Sequence, residues 1–457
     1  MVTEKSSLSA SPARSGRAGR PDRPRMPLVE PLRKAAHADA ASALAPILAN
    51  VLHGPLPVRL ELWDGSGIGP LDGPGVLRVR SVDALRRILW APGELGFARA
   101  YVAGDIELDG DVVGLLRSLQ SVAPRDLRVG LRALPAAFSS AYRAGALGPP
   151  LPAPPEEASV AGYRHSRRRD ARAVTHHYDV GNAFYQLLLG ASMTYSCARF
   201  ADPDMSLEQA QASKHEMICR KLGLAGDRPR RLLDVGCGWG SMALHAATTH
   251  GTSVVGITLS EEQARFARKR VAAAGLEGRV DIRVQDYRDL RGERFHAISS
   301  IGMFEHVGAA RAAQYFETLR RLLEPTGRLL NHAISEPGGS KLGRRSFFGR
   351  YVFPDGELLD VGDVVLAMER AGFECRDVES LREHYALTLR AWLANLEDRW
   401  DEAVTAVGLA RARIWRLYIA GSVNGFRDGG ISVHQVLGVV PESGGRSGMP
   451  ATRDGWN

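Results

Sequence analysis

Apolar and polar positions change their period several times along the chain. From Leu232 onward, short apolar runs closed by glycine alternate with stretches of helical spacing. "LLDVG", "SVVGITL", "VDIRVQD", "FHAISSI" and "GRLLNHAI" read as strands, and "EEQARFARKRVAAAG" and "AAQYFETLRRLLEP" as helices. Alternation on this scale predicts an α/β fold, a mostly parallel Rossmann-like sheet with helices on both faces. Glu261 and Glu262 suit the first turn of the helix after the second of these strands.

The earlier part of the chain has a different rhythm. "LVEPLRKAAHADAASALAPILANVLHG" has helical spacing, whereas "LPVRLELWDGSGIGP" and "GVLRVRSVDALRRILW" alternate as short strands around a Trp63-Asp64-Gly65 turn. "GELGFARAYVAGDIELDGDVVGLLRSL" ends in a helix. These elements predict a small N-terminal α+β domain over residues 26–145 that serves lipid access or dimer formation. A stiff, proline-rich linker follows at 146–160, and the larger domain occupies 161–440. Residues 1–25 and 441–457 read as disordered tails. After the last predicted strand of the larger domain, "EPGGSKLGRRSFFGRYVFPDGELLD" interrupts the pattern, where insertions commonly shape a substrate pocket.

Composition narrows the setting. The chain has 457 residues, 44% of them hydrophobic, and a net charge of +8, which favours an anionic partner. Cys197, Cys219, Cys237 and Cys375 are scattered, so a reduced cytoplasmic protein without disulfides is expected. No apolar run reaches the roughly 20 residues that span a bilayer, and the first residues lack a signal-peptide core. Any contact with a membrane is therefore expected to be peripheral, from the cytoplasmic side.

The chemistry centres on "RRLLDVGCGWGSMALHAA". Gly236, Gly238 and Gly240 let the backbone turn sharply and approach a ligand, with Asp234 just before them. A dinucleotide site would show GxGxxG and an acidic residue about 20 positions on. Here the spacing is GxGxG, and the second strand ends in Thr258, Ser260 and Gln263 instead of an acid. Asp286, at the end of the third strand, is suited to an adenine edge. The turn alone favours S-adenosylmethionine, which has no pyrophosphate to seat; a dinucleotide or another ligand remains open on this motif.

Five separated motifs then carry a resemblance. "HHYDVGNAFYQLLLGASMTYSCARF", "LLDVGCGWGS", "GITLSEEQ", "SIGMFEHVG" and "LREHYALTLRAW", in this order, resemble the cyclopropane fatty-acyl-phospholipid synthases and their mycolic-acid and methylene-fatty-acid relatives. The likeness covers about residues 160–440. It implies an S-adenosylmethionine-dependent C-methyltransferase that modifies the cis double bond of an unsaturated phospholipid acyl chain in a hydrophobic tunnel. It also implies a bound bicarbonate ion, caged by the Cys197 backbone, Glu305, His332, Ile334 and Tyr385, with His306 in support. Cofactor contacts are implied at Tyr178, Tyr195, Asp234, Gly236, Gly238, Gly240, Thr258, Leu259, Gln263, Gln285 and Asp286.

Local pattern alone leaves plainer readings open. His332 is equally a core histidine, Tyr385 a core tyrosine with a hydrogen-bonded hydroxyl, and Glu305 a helix-capping carboxylate. Cys197 reads as a small buried hydrophobe, and His176 and His177 as local hydrogen-bonding groups. No close Cys/His spacing supports a metal among His176, His177, His332 and Cys197.

For such a substrate the chain must dock on lipid. Arg164, Arg167, Arg168, Arg169 and Arg172 precede the first motif, and Lys341, Arg344, Arg345 and Arg350 flank Phe347, Phe348 and Tyr351. Basic groups beside exposed aromatics suit an anionic interface, although a solvated charge run is the alternative for the arginines. Nucleic acid is disfavoured as a partner, because no recognition helix or zinc module is present and FEHVG replaces the proline-aromatic signature of amine methylation. A homodimer and, for a methylene-branched product, a separate reductase are further partners to consider. A methyltransferase for another small molecule or for nucleic acid, and a noncatalytic lipid-binding protein, are the competing functions.

Overall fold

The computed structural model describes residues 39–122, 142, 145–158, 181–226, 230–341, 346–353, 356–454 and 456. Residues Asp39–Asn457 form one compact unit.

The N-terminal part runs α1 (Ala40–Val51), β1 (Arg59–Glu61), β2 (Gly67–Ile68), β3 (Gly75–Val79), α2 (Asp83–Trp90), α3 (Glu94–Ala103), β4 (Ile106–Gly110) and α4 (Val112–Val122). Its four strands form a sheet in the order β2-β1-β3-β4. The expected strand in "GVLRVRSVDALRRILW" is corrected in its second half, where Asp83–Trp90 is helical. Alternation ends at Val79, and Asp83 then supplies the first-turn acid that favours a helix.

The larger part comprises α5 (Asn182–Leu189), α6 (Leu207–Lys221), β5 (Arg231–Val235), α7 (Ser241–His250), β6 (Ser253–Thr258), α8 (Glu261–Ala273), β7 (Val280–Val284), β8 (Phe295–Ile301), α9 (Ala312–Arg321) and β9 (Leu323–Ser335). It continues with β10 (Ser340–Lys341), β11 (Glu357–Leu358), α10 (Val361–Arg370), β12 (Glu374–Ser380), α11 (Arg382–Asp398), α12 (Trp400–Val407), α13 (Leu409–Arg427) and β13 (Ser432–Val439). Seven strands form one sheet in the order β12-β13-β9-β8-β5-β6-β7. Neighbours from β9 to β7 pair in parallel, and β13 runs antiparallel to both β9 and β12. The expected doubly covered, mostly parallel sheet is therefore present. Its strand order turns back beside β5, which opens a crevice at the carboxyl ends of the central strands.

A shared core joins the two parts. Leu108, Val113 and Leu115 belong to the same apolar cluster as Phe184, Trp392 and Trp415. Polar clasps reinforce it, since Asn424 Nδ2 donates to the Val113 carbonyl at 3.0 Å and Arg416 Nη1 to that of Leu108 at 2.8 Å. The proline-rich stretch is tied down as well. Arg86, Arg87 and Trp90 donate to carbonyls of Pro149, Pro152 and Gly148.

Two further expectations change. The segment after β13 differs from a loose tail, because Trp456 is buried against the sheet's apolar cluster and Arg453 pairs with Asp377. The insertion after β9 does not display all its aromatics, because Phe347 and Tyr351 are buried. Burying a side chain of this size stabilises by about 1.5–3 kcal/mol, and both belong to the shared core. Phe348 and Phe353 accordingly pack edge-on against Tyr418 of α13. Arg350 turns back to Glu157 at 3.5 Å.

Candidate active site

The glycine turn after β5 forms the base of a first cavity. Gly236, Gly238 and Gly240 have φ of +78°, +54° and +81°, a region that side chains with a Cβ rarely adopt. The turn is held on the sheet by Gly236 and Cys237, whose N–H groups both donate to the Ile257 carbonyl at 2.9 Å. Nothing lies within 4 Å of where a Cβ on Gly238 would stand. Asp234 is buried at the end of β5 and accepts from Ser299 Oγ at 2.7 Å. Burial raises its carboxyl to about 6, against the opposing effects of Ser299 and Lys214.

This cavity is lined by Tyr195, Asp234, Gly236, Gly238, Thr258, Leu259, Gln263, Gln285 and Asp286, among others. The sequence-derived cofactor contacts are thus brought together, except for two. Gly240 stands just behind the turn as the residue preceding α7. Tyr178 lies outside the described residues, as do His176, His177 and the arginine stretch before them. Thr258 Oγ1 donates to Gln263 Oε1 at 2.9 Å, and Ser260 caps α8 by accepting from Gln263 N–H. Asp286 lines the cavity while its carboxylate also accepts from the Arg288 guanidinium at 2.6 Å.

A second cavity is mostly apolar. Ile334, Phe348, Phe353, Leu358, Leu389, Phe426 and Ile431 line it, together with Glu305, Tyr385 and Tyr418. Tyr195, Gly302 and His306 border both cavities, so the two spaces adjoin. Tyr195 is fixed there by its hydroxyl contact with Tyr418 at 3.2 Å and by rings of Tyr185, Trp392 and Trp415 around it.

Glu305 sits in a 3₁₀ turn, Phe304–His306, and does not cap a helix. Its Oε1 accepts from the Ile334 N–H of β9 at 2.8 Å, whereas the buried Oε2 has no partner. Burial raises this carboxyl to about 7, with the Ile334 hydrogen bond opposing. A buried acceptor without a partner costs about 1–3 kcal/mol, and more when charged, so the position is suited to a ligand. Tyr385 is buried at the start of α11, with its ring 4.5 Å from that of Phe426.

His332 and Cys197 are placed differently, since neither lines either of these two cavities. His332 is buried on β9, where Gln435 Nε2 lies 3.2 Å from Nδ1 and Nε2 has no partner. Burial and the Lys214 and Lys221 charges lower its imidazole to about 3, so the ring is neutral. His332 Nε2 and Gln435 Oε1 are thus both buried polar atoms without a partner. The Cys197 thiol is buried 3.2 Å from the Ala198 carbonyl, and burial pushes it upward, so it is not a nucleophile.

Sequence reasoning missed Lys214 and His215, both buried on α6 and both lining the first cavity. Lys214 Nζ donates to Ser196 Oγ at 3.0 Å, and burial lowers its ammonium to about 7. The available signal was three buried polar positions, Gln211, Lys214 and His215, at helical spacing on one face. Trp239, whose indole donates to Asn182 Oδ1 at 2.8 Å, and Tyr418 were missed as well.

The model for mycolic acid cyclopropane synthetases matches residues 165–436. The chain belongs to this cyclopropane synthetase family. The matched span takes in both cavities and every motif residue described above. A Mycobacterium tuberculosis protein described as a probable fatty acid methyltransferase is 41% identical over 413 residues, covering 87% of this chain and 94% of the relative. The cyclopropane-fatty-acyl-phospholipid synthase of Escherichia coli K12 is 34% identical, covering 82% and 91%. Among solved structures, mycolic acid cyclopropane synthase CmaA1, complexed with SAH and CTAB, superposes with a TM-score of 0.55 at 32% identity. That match covers 59% of this chain and 98% of CmaA1. Cyclopropane synthetases of this kind are S-adenosylmethionine-dependent methyltransferases, and this chain is one. The first cavity, with its glycine turn and polar rim, fits the cofactor.

Proposed function

We propose that this methyltransferase adds a methyl group to the cis double bond of an unsaturated, oleoyl-type phospholipid acyl chain. The observation that carries the reading is Glu305 Oε2, a partnerless carboxylate oxygen in an apolar cavity that adjoins the cofactor cavity at Tyr195, Gly302 and His306. S-adenosylmethionine supplies an electrophilic methyl when bound. An alkene is a weak nucleophile, so holding it in line with that methyl accounts for much of the acceleration. The aromatic and aliphatic lining holds the acyl chain and keeps water from the carbocation left on the neighbouring carbon. The Tyr195 ring at the junction offers a negative π face to positive charge.

The proton then leaves through Glu305 and its surroundings. Glu305 Oε2, which has no partner, and the Tyr385 hydroxyl would hold a bicarbonate ion, which would supply a basic oxygen there. Two anions side by side repel unless they share a proton, and a carboxyl raised to about 7 holds one readily at neutral pH. Ile334, which lines this cavity, the Cys197 backbone and His332, whose Nε2 is buried without a partner although the ring does not line the cavity, complete the proposed cage. Loss of a proton from the new methyl closes a cyclopropane ring. A 1,2-hydride shift that first moves the cation onto the methyl-bearing carbon, followed by loss of a methyl proton, would give a 10-methylene-branched chain, which a separate reductase would saturate.

The fatty-acid and fatty-acyl-phospholipid names of the relatives support an acyl substrate. No described helix is long and apolar enough to cross a membrane, which agrees with peripheral docking on an anionic cytoplasmic surface. Incubating the full chain with S-adenosylmethionine and oleoyl phospholipid vesicles should add one carbon to the acyl chain by mass spectrometry. Mild hydrogenation then separates ring from alkene. Acyl chains that gain no carbon, with the cofactor shown to bind, would overturn the proposal.

A further inference from the structure

On α6 and α7, outside the lining of both cavities, three ligand-type side chains converge that the chemistry above does not use. One ligand atom each from Cys219, His245 and His250 lie within 4.8 Å of one another. Glu216 joins them, its Oε2 lying 3.3 Å from His245 Nε2 and 2.9 Å from His250 Nε2. Arg220 donates to the other oxygen, Oε1, at 2.9 Å and so aims Oε2 at the two rings. We propose that Cys219, His245 and His250, closed by Glu216, form a metal site for zinc that staples α6 to α7.

The donor set suits that ion. Thiolate, imidazole and carboxylate oxygen are the ligands zinc takes, and a closed four-coordinate set is the mark of a structural site. Tetrahedral zinc at about 2.0–2.3 Å from its ligands sets them about 3.3–3.8 Å apart. The present spacing therefore needs a closure of about an ångström, which side-chain rotation supplies. Charge balances too, because one thiolate and one carboxylate neutralise a divalent ion held by two neutral imidazoles. Cys219 is fully buried and the two histidines are partly buried, so the ion would be largely screened from bulk water on the thiol side.

The staple would stiffen the cofactor cavity from behind. Helix α6 carries Lys214 and His215 into that cavity, and α7 begins at Ser241, directly after the glycine turn. The His215 and His245 rings stand 5.6 Å apart, so the two sites are neighbours through one ring contact.

The test uses the full, tag-free chain with zinc or cobalt alone. Dialysed protein should retain one equivalent of zinc. Its cobalt form should show tetrahedral ligand-field bands and a thiolate-to-cobalt charge-transfer band. Cys219→Ala should abolish the charge-transfer band, and His250→Gln should weaken metal affinity by about 10–100-fold. Circular dichroism identifies any variant that fails to fold, and the other then decides. Loss in either folded variant supports the site. No stoichiometric zinc in the parent chain, no thiolate band, or metal binding unchanged in the folded variants would overturn it.

Discussion

Glu305 is held by one hydrogen bond at Oε1 and left open at Oε2, and that asymmetry separates its structural role from its chemical one. Glu305→Gln keeps an oxygen for the Ile334 N–H while removing the exchangeable proton. Turnover should fall by about 10²-fold or more with cofactor affinity nearly intact, since general acid–base groups contribute on that scale. Titration calorimetry and methyl incorporation check the two halves, and unchanged turnover would remove Glu305 from the chemistry. The same substitution has a signature in stability. Burial raises the carboxyl from 4.5 to about 7, so the folded chain binds this proton more tightly than the unfolded one. The associated stability is fully present below 4.5 and is lost as pH rises through about 7, a change of about 3 kcal/mol. Urea unfolding of the parent between about pH 5 and about pH 8 should therefore show an added loss that Glu305→Gln lacks. Parallel pH profiles would show that the carboxyl is not raised. Tyr385→Phe removes only a donor to the proposed anion, so its defect should be milder and partly restored by high bicarbonate. A defect insensitive to bicarbonate would count against the ion.

At the scale of elements, Glu157 decides how the insertion sits over the second cavity. Its nearly buried carboxylate takes the Arg99 guanidinium of α3 at 2.8 Å, approaches Arg350 and accepts from the Tyr351 hydroxyl at 3.3 Å. Glu157→Ala leaves these partners without their acceptor and should destabilise by about 1–3 kcal/mol. Because Phe348 and Phe353 of the same segment line the cavity, kcat/KM for lipid should fall while the cofactor KM stays unchanged. Stability lost with lipid kinetics intact would separate the tie from the cavity. This element also marks a limit of the sequence reading. The five central strands and the glycine turn were legible because their apolar runs and glycines act locally, at fixed spacing. Glu305, Tyr385 and Ile334 were identified through motifs, yet nothing local indicated that β9 would supply the N–H that holds Glu305. Phe347 and Tyr351 looked exposed beside arginines, because the core that buries them is assembled from residues far away in sequence. Lys214 went unnoticed for the same reason. The Cys219, His245 and His250 cluster was illegible because only the packing of α6 on α7 brings it together.

The whole molecule has a core that passes without a break from the N-terminal sheet to the helices behind the acyl cavity. Helix α13 lies at this join. Its Arg413 and Arg416 reach the carbonyls of Tyr101 and Leu108, and its Tyr418 borders the second cavity. Glu94 of α3 also ties the insertion to the N-terminal part, accepting from the Phe347 N–H at 3.2 Å. An N-terminal module that served only to dock on lipid would be removable, leaving a folded catalyst with weaker vesicle binding. The shared core argues otherwise. Deleting residues 39–145 would expose several large apolar side chains on α13 and α5, each worth about 1.5–3 kcal/mol when buried. A few such losses, together about 5–12 kcal/mol, are comparable to the roughly 5–15 kcal/mol that holds a typical domain together. The truncated chain should therefore lose cooperative thermal unfolding, bind a hydrophobic dye, and be inactive even on detergent-dispersed lipid. A truncated protein that melts cooperatively and methylates dispersed lipid at the parent's rate would instead make the N-terminal part a separable accessory.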